Sequence, residues 1–235
     1  MATLSNIKYE ICHSPAYGSL VLTLPADQTL LVESGAMAAM DPWLALKSKV
    51  KGGLRRGVGR LLGGESFFIS EVTAQGKSGK LYLSPGVPGD IHHYSLQSGQ
   101  GLMIQSSGFV AATPGVELDT QFQGFKGFFS GESLFLLRAR GEGDIWFSSY
   151  GAVLPVSVTG DYVVDTGYIV AFEDSLDYAV EVLGGLSFRG LKTGILGGEG
   201  FVCRFRGEGR VWIQSREVYQ LLNYLYPFRP VKSNN

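Results

Sequence analysis

Three stretches of this chain carry nearly the same word at an equal step. Gly63-Gly64-Glu65-Ser66-Phe67-Phe68 returns as Ser130-Gly131-Glu132-Ser133-Leu134-Phe135 and again as Gly197-Gly198-Glu199-Gly200-Phe201-Val202. From Gly64 to Gly131 and from Gly131 to Gly198 the step is 67 positions each time. A fixed step of that size in 235 residues predicts an internal triplication.

Two further units repeat in register with the first. Leu31-Val32-Glu33-Ser34-Gly35-Ala36-Met37 has the shape of Met103-Ile104-Gln105-Ser106-Ser107-Gly108-Phe109 and of Val163-Val164-Asp165-Thr166-Gly167-Tyr168-Ile169. Each is an apolar pair, a short polar stretch, a glycine and an apolar run. Glycine inside a strand pattern marks a bulge or a close backbone approach, so Gly35, Gly108 and Gly167 read as three corners. The last unit places a Gly-x-Gly or similar turn before Leu81-Tyr82-Leu83, Ile145-Trp146-Phe147 and Val211-Trp212-Ile213. The reading is a β-hairpin built three times, with the glycines reaching φ > 0 at the turn.

The expected fold is therefore all-β. It consists of three double-stranded β-helix-like repeats, at 18–90, 91–151 and 152–216, closed around a pseudo-threefold axis into one globular unit, 1–235. Such closure would share one interior and hide strand edges. Val218, Leu221, Leu222 and Leu225 stand at helical spacing before Pro227, which predicts a short helix at 217–226 packed on the β body. The 33 glycines fit many tight turns.

The Gly-Gly-Glu-Ser-Phe-Phe stretch at 63–68, the Glu-Ser-Gly corner at 33–35 and the Ser-Pro-Gly run at 84–86 together resemble the altered-inheritance-of-mitochondria protein twenty-four family, over nearly the whole chain. That family is similar in fold to the tryptophan RNA-binding attenuation protein, and the resemblance implies three joined copies of one β unit. Its mitochondrial branch is tied to inner-membrane organisation. The RNA and tryptophan contacts of the fold relative find no matching motif here, and a shared fold is a weak warrant for a shared function.

Chemistry-bearing patterns are sparse. The strongest local bias is basic: Lys51, Arg55, Arg56 and Arg60 are interleaved with Leu54 and Val58, with no acidic residue before Glu65. That segment is a candidate interaction surface for an anionic membrane or a protein partner. Nucleic acid is not expected, because the formal net charge is -1 and no phosphate-loop pattern is present. His92 and His93 are neighbours, which on a strand point to opposite faces, so no metal site is expected of them. Glu65, Glu132 and Glu199 recur with the repeat and, with Gly64, Gly131 and Gly198, read as structural signatures. Ser66 has no histidine partner in sequence, so no catalytic residue and no cofactor are assigned. Cys12 and Cys203 read as core thiols, and Trp43 as an exposed aromatic contact. The residues expect a cytoplasmic, non-enzymatic, self-associating scaffold or interaction protein. The alternative is a module that binds a small ligand or nucleic acid.

Overall fold

The structure, a computed structural model, describes residues 7–48, 69–121, 136–182 and 201–229. The chain opens with β1 (Lys8–Cys12) and β2 (Ser19–Leu24). Next, β3 (Thr29–Glu33) enters a 3-10 turn at Ser34–Ala36 and emerges as β4 (Met37–Met40), followed by β5 (Leu44–Ser48), β6 (Ile69–Ala74), β7 (Gly79–Leu83) and β8 (Ile91–Leu96). After β9 (Gly101–Gln105) a second 3-10 turn, Ser106–Gly108, leads to β10 (Phe109–Ala112), β11 (Val116–Gln121), β12 (Leu136–Gly141) and β13 (Gly143–Ser148). The long β14 (Val153–Asp165) runs into a third 3-10 turn, Thr166–Tyr168, then β15 (Ile169–Glu173), β16 (Asp177–Val182), β17 (Phe201–Gln214) and the helix α1 (Val218–Leu225).

These strands make three antiparallel sheets. The first is ordered β1-β2-β7-β4, the second β5-β6-β3-β10-β13-β8 and the third β11-β12-β9-β15-β17-β14, with β16 also on β17. The expected all-β class holds. Among the described residues none of the three strand orders returns to its first strand.

Alternation in the sequence decides which face each strand buries. In β2, Leu20, Leu22 and Leu24 are fully buried while Ser19, Val21 and Thr23 stay half-exposed. The strands of the middle read differently: β9 and β10 are buried at every residue, because both faces are covered. One core cluster fills the gap between the first and second sheets, with Leu22, Leu81 and Leu83 against Val32, Val72 and Trp146. A second lies between the second and third sheets, with Phe109, Ile145 and Phe147 against Ile104, Leu137 and Trp212. A third sits inside the curl of the third sheet, around Phe172, Cys203, Phe205 and Val211. Each large apolar side chain buried there contributes about 1.5–3 kcal/mol.

The three glycine corners are 3-10 turns, each followed by a shift in strand register after Met37, Phe109 or Ile169. The reason for glycine is space. None of Gly35, Gly108 and Gly167 has a positive φ. A Cβ on Gly108 would sit 3.0 Å from the Ser148 carbonyl oxygen, and one on Gly167 2.7 Å from Glu217 Cγ. In two of the turns a carboxylate completes the corner: Gly35 N donates to Glu33 (2.8 Å) and Gly167 N to Asp165 (2.8 Å).

The repeated hairpin is corrected. β6 pairs with β3 and β5, whereas β7 pairs with β2 and β4; likewise β12 pairs with β9 and β11, and β13 with β8 and β10. The chain therefore crosses from one layer to the next at these glycines. In β17 the crossing occurs within one bent strand, whose Gly207 (φ +108) lies opposite Gly160 (φ +93) of β14. The helix is also placed differently. Glu217 caps α1 by accepting from Tyr219 N and Gln220 N, and Gln220 Nε2 donates to Tyr168 Oη at 2.7 Å, yet no residue of α1 is buried. Its leucine face points to solvent: Leu221, Leu222 and Leu225 are all exposed.

Candidate functional site

Side-chain hydrogen bonds from both faces of β8 reach the neighbouring sheets. His92, His93 and Tyr94 are consecutive, and the pleat sends His93 toward the first sheet and His92 and Tyr94 toward the third. His93 pairs in register with Trp146 and His92 with Phe147.

On the first face, Tyr9 of β1 places its hydroxyl 3.0 Å from His93 Nδ1, and its ring 4.7 Å from the imidazole and 5.3 Å from Trp146. His93 Nε2 lies 2.8 Å from Asp144 Oδ1 of β13. An ionised carboxylate only accepts, so the Nε2 proton faces Asp144 and Nδ1 is left to accept from Tyr9 in the neutral ring. Both imidazole nitrogens are thus engaged, one on the neighbouring strand and one on the neighbouring sheet.

On the second face, Trp212 Nε1 donates to His92 Nε2 at 3.1 Å. An indole N–H can only donate, so Nε2 is unprotonated and the ring is neutral. Burial first, and then proximity to His93, pushes the His92 pKa below the ordinary histidine value. Two places along, Tyr94 Oη donates to Glu173 Oε1 at 3.2 Å, and Arg210 Nε donates to the same oxygen at 3.0 Å. The Arg210 guanidinium lies 5.3 Å from the Trp212 ring and 5.7 Å from that of Tyr94, within cation–π range. Burial, then the Glu173 charge, raises the Tyr94 pKa.

The residues singled out from the sequence fall elsewhere. Gly35, Gly108 and Gly167 lie on three separate turns and are not brought together. Lys51, Leu54, Arg55, Arg56, Val58 and Arg60, and the signature positions Gly64, Glu65, Gly131, Glu132, Gly198 and Glu199, lie outside the described residues. Trp43 is not the free aromatic expected of it: its Nε1 donates to the Ser78 carbonyl at 3.0 Å and Lys77 Nζ sits 3.6 Å over its ring. Cys203 is a core thiol, its pKa pushed up to about 12 by burial, while Cys12 is half-buried. Among the described residues no group of three or more His, Cys, Asp and Glu is placed to hold a metal ion, and no helix is long and apolar enough to cross a membrane.

Sequence reasoning isolated the histidine pair but missed Tyr9, Asp144, Glu173 and Arg210. For Asp144 and Glu173 the signal was present as carboxylates at the ends of the apolar strands β13 and β15. Reading Gly143-Asp144 as a hairpin turn hid it.

Comparison with known proteins matches this architecture. An uncharacterized protein of Streptococcus pyogenes serotype M6 is 27% identical over 98% of this chain and 94% of its own length. A crystal structure of a protein from Streptococcus pyogenes superposes with a TM-score of 0.78 at 25% identity, covering 95% of this chain and all of that one. The family described as Mitochondrial biogenesis AIM24 matches residues 9–216. With most of its length inside that match, the chain belongs to the mitochondrial biogenesis AIM24 family.

Proposed function

We propose that this protein is a non-enzymatic interaction scaffold. On this reading it comprises three copies of a two-layer β unit joined in tandem, with the polar seam on β8 serving as the fastening between layers. The observation that supports it is where the seam's hydrogen bonds go. Tyr9–His93–Asp144 ties the first sheet to the second, while His92–Trp212 and Tyr94–Glu173–Arg210 tie the second to the third. A histidine with a carboxylate on one nitrogen and a phenol on the other could belong to an acid–base site. Here its two partners are strands of the stacked layers.

The pairing pattern supports the three copies. Ala39 is opposite Tyr82, Ala111 opposite Trp146 and Ala171 opposite Trp212, each just after a 3-10 turn and a register shift.

Stability separates fastening from catalysis, because catalytic groups commonly cost stability and their removal commonly restores it. Tyr9→Phe, His93→Gln and Asp144→Asn should each lower the urea midpoint. The His93/Asp144 double-mutant cycle should show a coupling of about 0.5–3 kcal/mol. Unchanged or raised midpoints would end the scaffold reading and reopen the seam as a reactive site.

A further inference from the structure

Two of the three proposed copies are stitched to the next by strand pairing, and the stitches are alike. Ala111 of β10 lies opposite Val32 of β3, and Ala112 opposite Leu31. Ala171 of β15 lies opposite Ile104 of β9, and Phe172 opposite Met103. In each junction the strand after one copy's 3-10 turn pairs with the strand before the preceding copy's turn. Carrying the same correspondence once more pairs Ala39 of β4 with Val164 of β14, and Met40 with Val163. Among the described residues that junction is not made: β4 pairs only with β7, and β14 only with β17.

The exposure of matched side chains marks both ends as uncovered. Trp146 and Trp212 are 0% exposed, whereas Tyr82, at the matching place, is 40% exposed. Val110, Ala111, Val170 and Ala171 are buried, but Ala38 and Ala39 are exposed. At the other end Met103 is buried and Leu31 packs against the second core cluster, but their counterpart Val163 is 42% exposed. Strand edges that must stay single usually carry lysine, proline or an inward charge. β4 reads Met-Ala-Ala-Met and carries none of these.

We propose that β4 of one chain adds to β14 of a second copy of the same chain, in the register Ala39–Val164 and Met40–Val163, as the intrachain junctions do. The union joins the four strands of the first sheet to the β14, β17 and β16 edge, and covers Tyr82. The two edges differ, so the contact is head-to-tail. It closes into a ring if the rotation allows and otherwise grows as a filament. The proposal rests on the three-copy layout within the scaffold reading. Its test reads assembly, whereas the seam test above reads stability, so the two can fail separately.

The test uses full-length protein with Ala39→Lys on one edge and Val163→Lys on the other, both at exposed positions. Sedimentation velocity over a concentration series should show wild type as more than one chain and each variant as a single chain. Equal mixing of the two variants should regain a dimer and nothing larger, since each supplies the edge the other lacks. That regain also shows both variants folded. A wild type that stays a single chain, variants that assemble as wild type does, or a mixture that remains monomeric would overturn the proposal.

Discussion

Trp212 and Trp146 occupy matching strand positions and are equally buried, but their indole N–H groups end differently. Trp212 Nε1 donates to His92, whereas the buried Trp146 Nε1 has no hydrogen-bond partner among the described residues. Replacing Trp146 by Phe removes a donor that is already unsatisfied. Replacing Trp212 by Phe leaves the half-buried His92 acceptor without that donor, a penalty of up to about 1–3 kcal/mol beyond the lost packing. Trp212→Phe should therefore lower the denaturation midpoint more than Trp146→Phe does. His92 also gives stability a pH dependence. Its folded pKa lies below the ordinary value, so the unfolded chain binds the proton first, and stability is held above the ordinary histidine pKa of about 6.5. As pH falls through that value toward the lowered one, stability should drop, and His92→Gln should flatten the drop in urea titrations at successive pH values. The matching of Tyr82, Trp146 and Trp212 was plain in the sequence. Which of them faces water was not, because that depends on which sheet lies over each.

At the scale of elements, backbone hydrogen bonds at glycines tie the connection that enters β8 to the starts of β2 and β14. Gly18 N donates to the Gly89 carbonyl (2.6 Å), Asp90 N to the Gly151 carbonyl (2.9 Å) and Gly151 N to the Pro88 carbonyl (3.0 Å). A Cβ on Gly89 would land on the carbonyl oxygen of Ser149, a backbone atom with no freedom to turn aside. Gly89→Ala should destabilise by about 1–3 kcal/mol or more and shift the melting temperature down, with Gly86→Ala, where no atom lies near, as the neutral comparison. The strands themselves were legible from period-two alternation, as in β2, and the corners from their glycines. The partners of β6 and β7 were not. A Gly-rich turn between two apolar runs specifies a reversal of direction, and a reversal within a sheet and a step between layers have the same local chemistry. The helix α1 was legible from its leucine spacing, but its periodicity cannot say whether a surface waits for that face.

At the scale of the whole molecule, the 67-residue step pointed to three units, and among the described residues none of the three strand orders returns to its first strand. Closure is a property of the angle between neighbours, which no residue pattern states. The basic segment from Lys51 to Arg60 is proposed as a second interaction surface. Reversing Arg55, Arg56 and Arg60 to glutamate should abolish co-sedimentation with anionic vesicles, and retained binding would remove that segment from the interaction surface.

The second sheet joins β5, β6 and β3 from the chain before residue 84 to β10, β13 and β8 from the chain after residue 90. No cut along the chain therefore frees a piece whose hydrogen-bonding ladders are whole. Heat should melt the molecule in one calorimetric transition rather than piece by piece. On the proposed three-copy layout, deleting one copy would leave half a sheet bare, so copy number would be far harder to change by inheritance than in a string of beads.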